Sequence, residues 1–229
     1  MVAILVLATM VVFILVDFYY QNRKEKPKVI AKIQSESDAA IPMEIVSGFK
    51  MPAAFSFHPG HGWAMKEGGR RVRVGMDDFS TRLLGEIDSI ELPARGRWLR
   101  QGEKGWAITR GNHRFELLSP IEGEVVDVNE EISRNPRRLL ADPYEVGWLL
   151  EVHSPGMEGN LKNLLHGKLA QRWLENSIMD LNSKISGTGG AHLQDAGHPV
   201  GDVLGQVPEA RWDALVEDFI LTLPRVRDS

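Results

Sequence analysis

Apolar and polar positions alternate most cleanly over residues 104–109 and 114–119 of the chain. Trp106 and Ile108 share one face of the first run, and Phe115 and Leu117 share one face of the second. Between them stands Gly111-Asn112, a pair that accepts positive φ at both centres of a two-residue turn. The pattern predicts a tight hairpin with an exposed tip. Ser119-Pro120 ends the return strand and Gly123-Glu124 opens another. Upstream, Phe55-Ser56-Phe57 alternates as a strand, and residues 58–63 read as a turn. Residues 70–75 alternate again as an edge-like strand with its arginines on the wet face. Asp77-Asp78 is placed to cap a short helix over residues 79–84. Residues 85–93 read as a strand ended by Pro93, and Trp98-Leu99 as a further pairing segment. Gly85-Glu86-Ile87-Asp88-Ser89-Ile90 recurs in altered form as Gly123-Glu124-Val125-Val126-Asp127-Val128, which suggests two similar β halves.

Residues 129–140 predict a loop with a helical turn, and residues 147–152 a buried strand. The period then lengthens. Leu161, Leu164, Leu165, Leu169, Trp173, Ile178 and Leu181 fall at helical spacing over residues 160–181. A last helix begins at Pro208-Glu209, with proline and an acid in its first turn. Its stripe is Trp212, Leu215, Val216 and Phe219. Such a stripe docks on its own domain more often than on a partner, and both remain open here.

The two ends differ from this middle. Residues 1–16 form a continuous apolar run, extended by Phe18-Tyr19-Tyr20 to about the 20 residues that span a bilayer. No basic residue precedes the run and no small-residue cleavage site follows it, so an uncleaved anchor over residues 1–20 is expected in place of a signal peptide. Arg23, Lys24, Lys26, Lys28 and Lys32 then mark the cytoplasmic side. This predicts a single-pass cell-membrane protein with its soluble part in the cytoplasm. Residues 21–54 read as a polar linker with a short strand over 44–46. Residues 55–185 read as the folded domain, and residues 186–229 as a glycine-rich link and a terminal amphipathic helix.

Composition removes several classes of function. The formal net charge is -4, with no basic stripe interleaved with aromatics, which gives no case for nucleic acid. There are no cysteines, hence no disulfide, thiolate metal site or cysteine nucleophile. His58 and His61 form a possible metal pair, and His192 and His198 flank a glycine-rich stretch, but neither pair has further ligands nearby in sequence. Asp77 and Asp78, as neighbours, point apart and suit helix capping better than paired acid–base work. With no phosphate-cradling loop and no serine elbow, no residue recommends an enzyme.

Residues 57–152 resemble the glycine cleavage system H protein. The resemblance rests on His61 and Trp63, Val74-Gly75 with Asp78-Phe79, residues 84–87, and Glu91-Leu92-Pro93 with Gly96. It continues through Gly102-Glu103, Glu116-Leu117, Ser119-Pro120, Gly123-Glu124-Val125, Val128-Asn129, Asn135-Pro136 and Tyr144 with residues 147–149, in order and spacing. It implies a mainly β fold with flanking helices (α+β), a lipoyl-domain-like barrel-sandwich hybrid. Outside that resemblance, the apolar run adds one N-terminal transmembrane helix ahead of the domain, and C-terminal helices follow it. The resemblance also implies a hairpin-tip lysine that carries lipoate between partner enzymes. Counted without gaps from either side, Asn112 takes that place, and Thr109-Arg110 stand where an acid usually precedes it. The expectation is therefore a chain without cofactor or catalytic residues: a membrane-anchored, non-lipoylated scaffold for an unidentified protein partner. Its docking tip would be Arg110, Asn112, His113 and Arg114. The alternative is a lipoyl-type carrier of glycine cleavage or a related pathway.

Overall fold

The structure, a computed structural model, describes residues 42–186, 194–195, 198–199 and 201–220. The expected anchor and most of the linker lie outside these. Among the described residues no helix is long and apolar enough to cross a membrane.

The chain enters as a hairpin, β1 (Met43–Val46) and β2 (Phe49–Pro52). Its turn is Ser47-Gly48, both at positive φ. This corrects the linker reading of residues 42–54. Phe49 and Met51 are buried, and the Phe49 ring lies 5.7 Å from Phe79. The short strand expected over residues 44–46 is β1, and its partner β2 falls where only linker was expected.

The six-stranded sheet follows. β3 (Ser56–Phe57), β4 (Gly62–Gly68) and β5 (Arg71–Met76) lead on to β7 (Trp98–Leu99), β10 (Gly123–Val128) and β11 (Trp148–His153), in the order β3-β4-β5-β11-β10-β7. β5 is therefore an inner strand between β4 and β11, not the edge its arginines suggested. Arg71 and Arg73 do point outward, where they meet Glu151 and Glu67. Beneath them Val72 pairs with Val152 and Val74 with Leu150, all four buried. Removing such side chains from water contributes about 1.5–3 kcal/mol each.

The second sheet has three strands, β6 (Ser89–Glu91), β8 (Lys104–Arg110) and β9 (His113–Leu118), in the order β6-β8-β9. Trp106, Ile108, Phe115 and Leu117 are buried, as the alternation predicts. Of the expected strand over residues 85–93 only β6 is paired, because Gly85, at φ 63, instead caps helix α1 (Asp78–Leu84).

Helices close the ends. α2 (Glu130–Arg134) is capped by Asn129, and α3 (Arg137–Ala141) follows Pro136. The predicted long helix divides into α4 (Met157–Lys162) and α5 (Gly167–Ser186), broken where Leu165 bridges to Phe57 and Gly167 takes φ 53. Beyond a two-residue pair, β12 (Gln194–Asp195) and β13 (His198–Pro199), the segment 201–220 ends in helix α6 (Trp212–Ile220).

Trp63 anchors the core. It is fully buried and donates from Nε1 to the carbonyls of Met76 at 2.8 Å and Pro143 at 3.1 Å. Gly75 makes room for it, since a Cβ there would lie 2.6 Å from the indole.

Candidate functional site: a hairpin tip beneath the C-terminal segment

β8 and β9 meet in the turn Gly111-Asn112, with Arg110 paired to His113 at its base. Of the two turn residues only Gly111 has positive φ, at 56. The turn thus uses glycine at its first centre and leaves Asn112 in ordinary backbone conformation. The Gly111 N–H donates to Asp88 Oδ2 at 2.7 Å, which fixes the turn against the segment before β6. Asn112 is exposed at the apex.

The residues beside it are held. Arg110 is 8% exposed. Its guanidinium donates to Asp202 through two N–H groups, at 2.5 and 3.0 Å, and to the Leu84 carbonyl. It also lies 4.4 Å over the Trp212 ring. A planar fork suits this task because one face stacks while the edges donate. His113 stands between two carboxylates, with Nδ1 2.9 Å from Asp213 and Nε2 3.2 Å from Glu209. Only the protonated ring donates to both. The Asp213 hydrogen bond, supported by Glu209, accordingly raises the His113 pKa above its ordinary value. Arg114 points to the outer face of the sheet and pairs with Glu91 at 2.9 Å and Glu116 at 2.7 Å. Of the four tip residues expected to meet an acidic surface, Arg110 and His113 meet one within the chain itself. Arg114 is paired within its own sheet, and Asn112 faces water.

The acidic partners belong to a C-terminal strap, residues 201–220. Val203, Leu204, Val207, Leu215, Val216, Phe219 and Ile220 bury its apolar side, with the Phe219 ring 5.4 Å from Phe79 on α1. The Val203 N–H donates to the Arg82 carbonyl at 3.0 Å. Two glycines admit the strap: a Cβ at Gly85 would run into Asp202, and one at Gly60 would lie 2.9 Å from the Ile220 carbonyl. Sequence reasoning placed the apolar stripe of α6 correctly but not its destination. The opposed charges, Asp202, Glu209 and Asp213 against Arg110 and His113, were the available signal.

The histidine pair serves the core. His61 is 1% exposed, holds Asp77 Oδ2 at 2.7 Å through Nδ1, and stacks on Phe79 at 4.2 Å. His58 Nδ1 accepts the Gly60 N–H at 3.0 Å, and burial, with His61 nearby, lowers its pKa. Asp77 caps α1 by accepting from the Ser80 N–H at 2.8 Å. Asp78 accepts from the Lys50 N–H and from Arg82, and burial raises its pKa. Among the described residues no group of three or more His, Asp or Glu side chains is arranged to hold a metal ion. The His192 and His198 side chains lie outside those described.

Comparison with known proteins gives this geometry its context. The family model for the glycine cleavage H-protein matches residues 55–177. Among curated relatives, the glycine cleavage system H protein 2 of Pseudomonas syringae pv. tomato is 32% identical over 115 residues, covering 50% of this chain and 89% of its own. The glycine cleavage system H protein of Rippkaea orientalis is 36% identical over 107 residues, covering 47% and 81%. A crystal structure of a glycine cleavage system H protein from Mycobacterium marinum aligns with a TM-score of 0.43 at 26% identity, over 46% of this chain and 87% of that one. The strap lies beyond the matched residues. With more than half of its length matched, this chain belongs to the glycine cleavage H-protein family.

Proposed function

We propose that this chain is a family member that works by protein contact and not by carrying an acyl-lysine arm. One observation carries the reading. The exposed residue at the hairpin apex is Asn112, whose amide cannot be acylated as a lysine amine can, and its neighbours Arg110 and His113 are tied down by the strap. A swinging arm needs an amine on a tip with free space around it. This tip offers neither the amine nor freedom at its base. The proposal assigns the chain no catalytic step.

The apolar run over residues 1–16 and the basic cluster behind it support attachment to the cell membrane with the folded part in the cytoplasm. Protease treatment of intact cells tests this arrangement, because a domain cleaved from outside would reverse it.

A second reading has its own support: the relatives are named glycine cleavage system H proteins, which favours a lipoyl carrier in that or a related pathway. Such a carrier would need attachment at a lysine other than the tip position. Intact mass of the full-length protein from its own host's membranes separates the two. An unmodified mass agrees with the contact reading, and a lipoyl increment on any lysine overturns it.

A further inference from the structure

The strap and the face beneath it are matched in three ways at once. In charge, Asp202, Glu209 and Asp213 oppose Arg110 and His113. In aromatic placement, Trp212 lies under the Arg110 guanidinium and 5.3 Å from the His113 ring. In backbone shape, Gly60 and Gly85 leave no room for a side chain where the strap runs. The ionic partners on the strap are well exposed: Glu209 and Asp213 keep 63% and 56% of their side-chain surface in water. Contacts of that kind are weakened by salt and exchange readily. The strap is joined to α5 through residues 187–200, which include Gly187, Gly189, Gly190 and Gly197.

We propose that the face formed by the hairpin tip, α1 and the His58–Gly60 turn is a docking surface for a partner protein. The partner would present an acidic amphipathic helix with an aromatic anchor between its carboxylates, and residues 201–220 are its resident competitor. The chemistry of the partner is read from the strap, the one ligand this face is seen to accept. The inference rests on the contact reading of the hairpin. The competitor belongs to the same chain, so its binding is intramolecular. A partner in trans therefore binds weakly until the strap is loosened.

The test uses the full chain and a synthetic peptide with the sequence of residues 201–220 as probe. Asp202→Asn, Asp213→Asn and Phe219→Ala are combined to loosen the strap without touching the face. Peptide binding is followed by fluorescence anisotropy at low and high salt, and strap release by hydrogen exchange over residues 212–220. The loosened chain is expected to bind the peptide at least about tenfold more tightly than the unaltered chain. Added salt should weaken that binding, and so should Trp212→Ala in the peptide. Arg110→Ala in the loosened chain should reduce it by about tenfold or more. The proposal is overturned if the strap exchanges freely and the peptide still does not bind, if the strap stays fully protected, or if Arg110→Ala leaves binding unchanged. Concentration-dependent dimers of the loosened chain would overturn it in favour of strap exchange between copies. The mass measurement is separate. A lipoylated chain that binds the peptide loses only the contact-alone reading, and an unmodified chain that fails to bind loses only this one.

Discussion

Removing Arg110 should detach the strap while sparing the core, by an amount that the contacts fix. The guanidinium makes two hydrogen bonds to Asp202, one to the Leu84 carbonyl, and a stack on Trp212. Arg110→Ala leaves the Asp202 carboxylate against Gly85 and Gly205 without its counter-charge. Breaking a fully buried pair costs about 3–5 kcal/mol. The Asp202 side chain is 34% exposed, so water recovers much of that loss and about 1.5–2 kcal/mol remains for the pair. The lost stack adds about 0.5–1 kcal/mol. Together they make the strap easier to open by about 2–3 kcal/mol, or about 30- to 150-fold at 1.4 kcal/mol per tenfold. Native-state hydrogen exchange reads this directly. Amides of residues 212–220 should lose protection by that factor, while those of β5 and β11 keep theirs. Arg110→Lys retains charge without the fork or the stack and should fall between the two. If α6 protection moves by less than about threefold, its apolar side chains alone hold the strap and the reasoning fails.

Other expectations follow from single contacts. Because carboxylates raise the His113 pKa, the clamp is complete below the unfolded value of about 6.5 and is lost as pH rises through the higher folded value. Exchange of α6 amides should therefore accelerate on raising pH across that window, beyond its intrinsic dependence, with Asp213 and Glu209 the carboxylates that face the ring. Phe115 and Trp212 flank it. In His113→Gln the extra pH dependence should vanish. Gly75→Ala drives a methyl into the buried Trp63 ring and should lower global stability by about 2–3 kcal/mol in urea titration, with the strap and core lost together. Asn129→Ala removes the α2 cap and two bonds to the Val146 and Trp148 carbonyls at 2.9 and 2.8 Å, and should cost about 1–3 kcal/mol by the same assay.

The hairpin, the α1 cap and the inward faces of both sheets were legible because each depends on near neighbours in the chain. Alternation in β8 and β9 reports which side of each strand is buried, and Asp77 caps a helix that begins beside it. Strand position in a sheet is another matter. β5 carries arginines on one face and valines on the other whether it lies at an edge or inside, so its pattern could not reveal β4 and β11 on its two sides. β4 was hidden because only its first residues, Gly62–Ala64, are buried, while Lys66–Gly68 are exposed. At the site, the stripe of α6 stated that one side is buried but held no address. The address lies in charge partners 92 and 100 residues apart, which periodicity does not register.

Two departures at the hairpin fit together as one. By resemblance, an acid precedes the lysine position in this family, and here Thr109-Arg110 stand in that place. An acid in place of Arg110 would set a second carboxylate against Asp202 in a largely buried site, and like charges there would repel the strap. The basic tip and the acidic strap therefore require each other. Restoring only Asn112→Lys would return an amine to the apex while Arg110 and His113 remained clamped beside it. Replacing Arg110 by an acid as well would release the strap. Position 110 thus decides whether the tip is held, and position 112 whether it has an amine to offer.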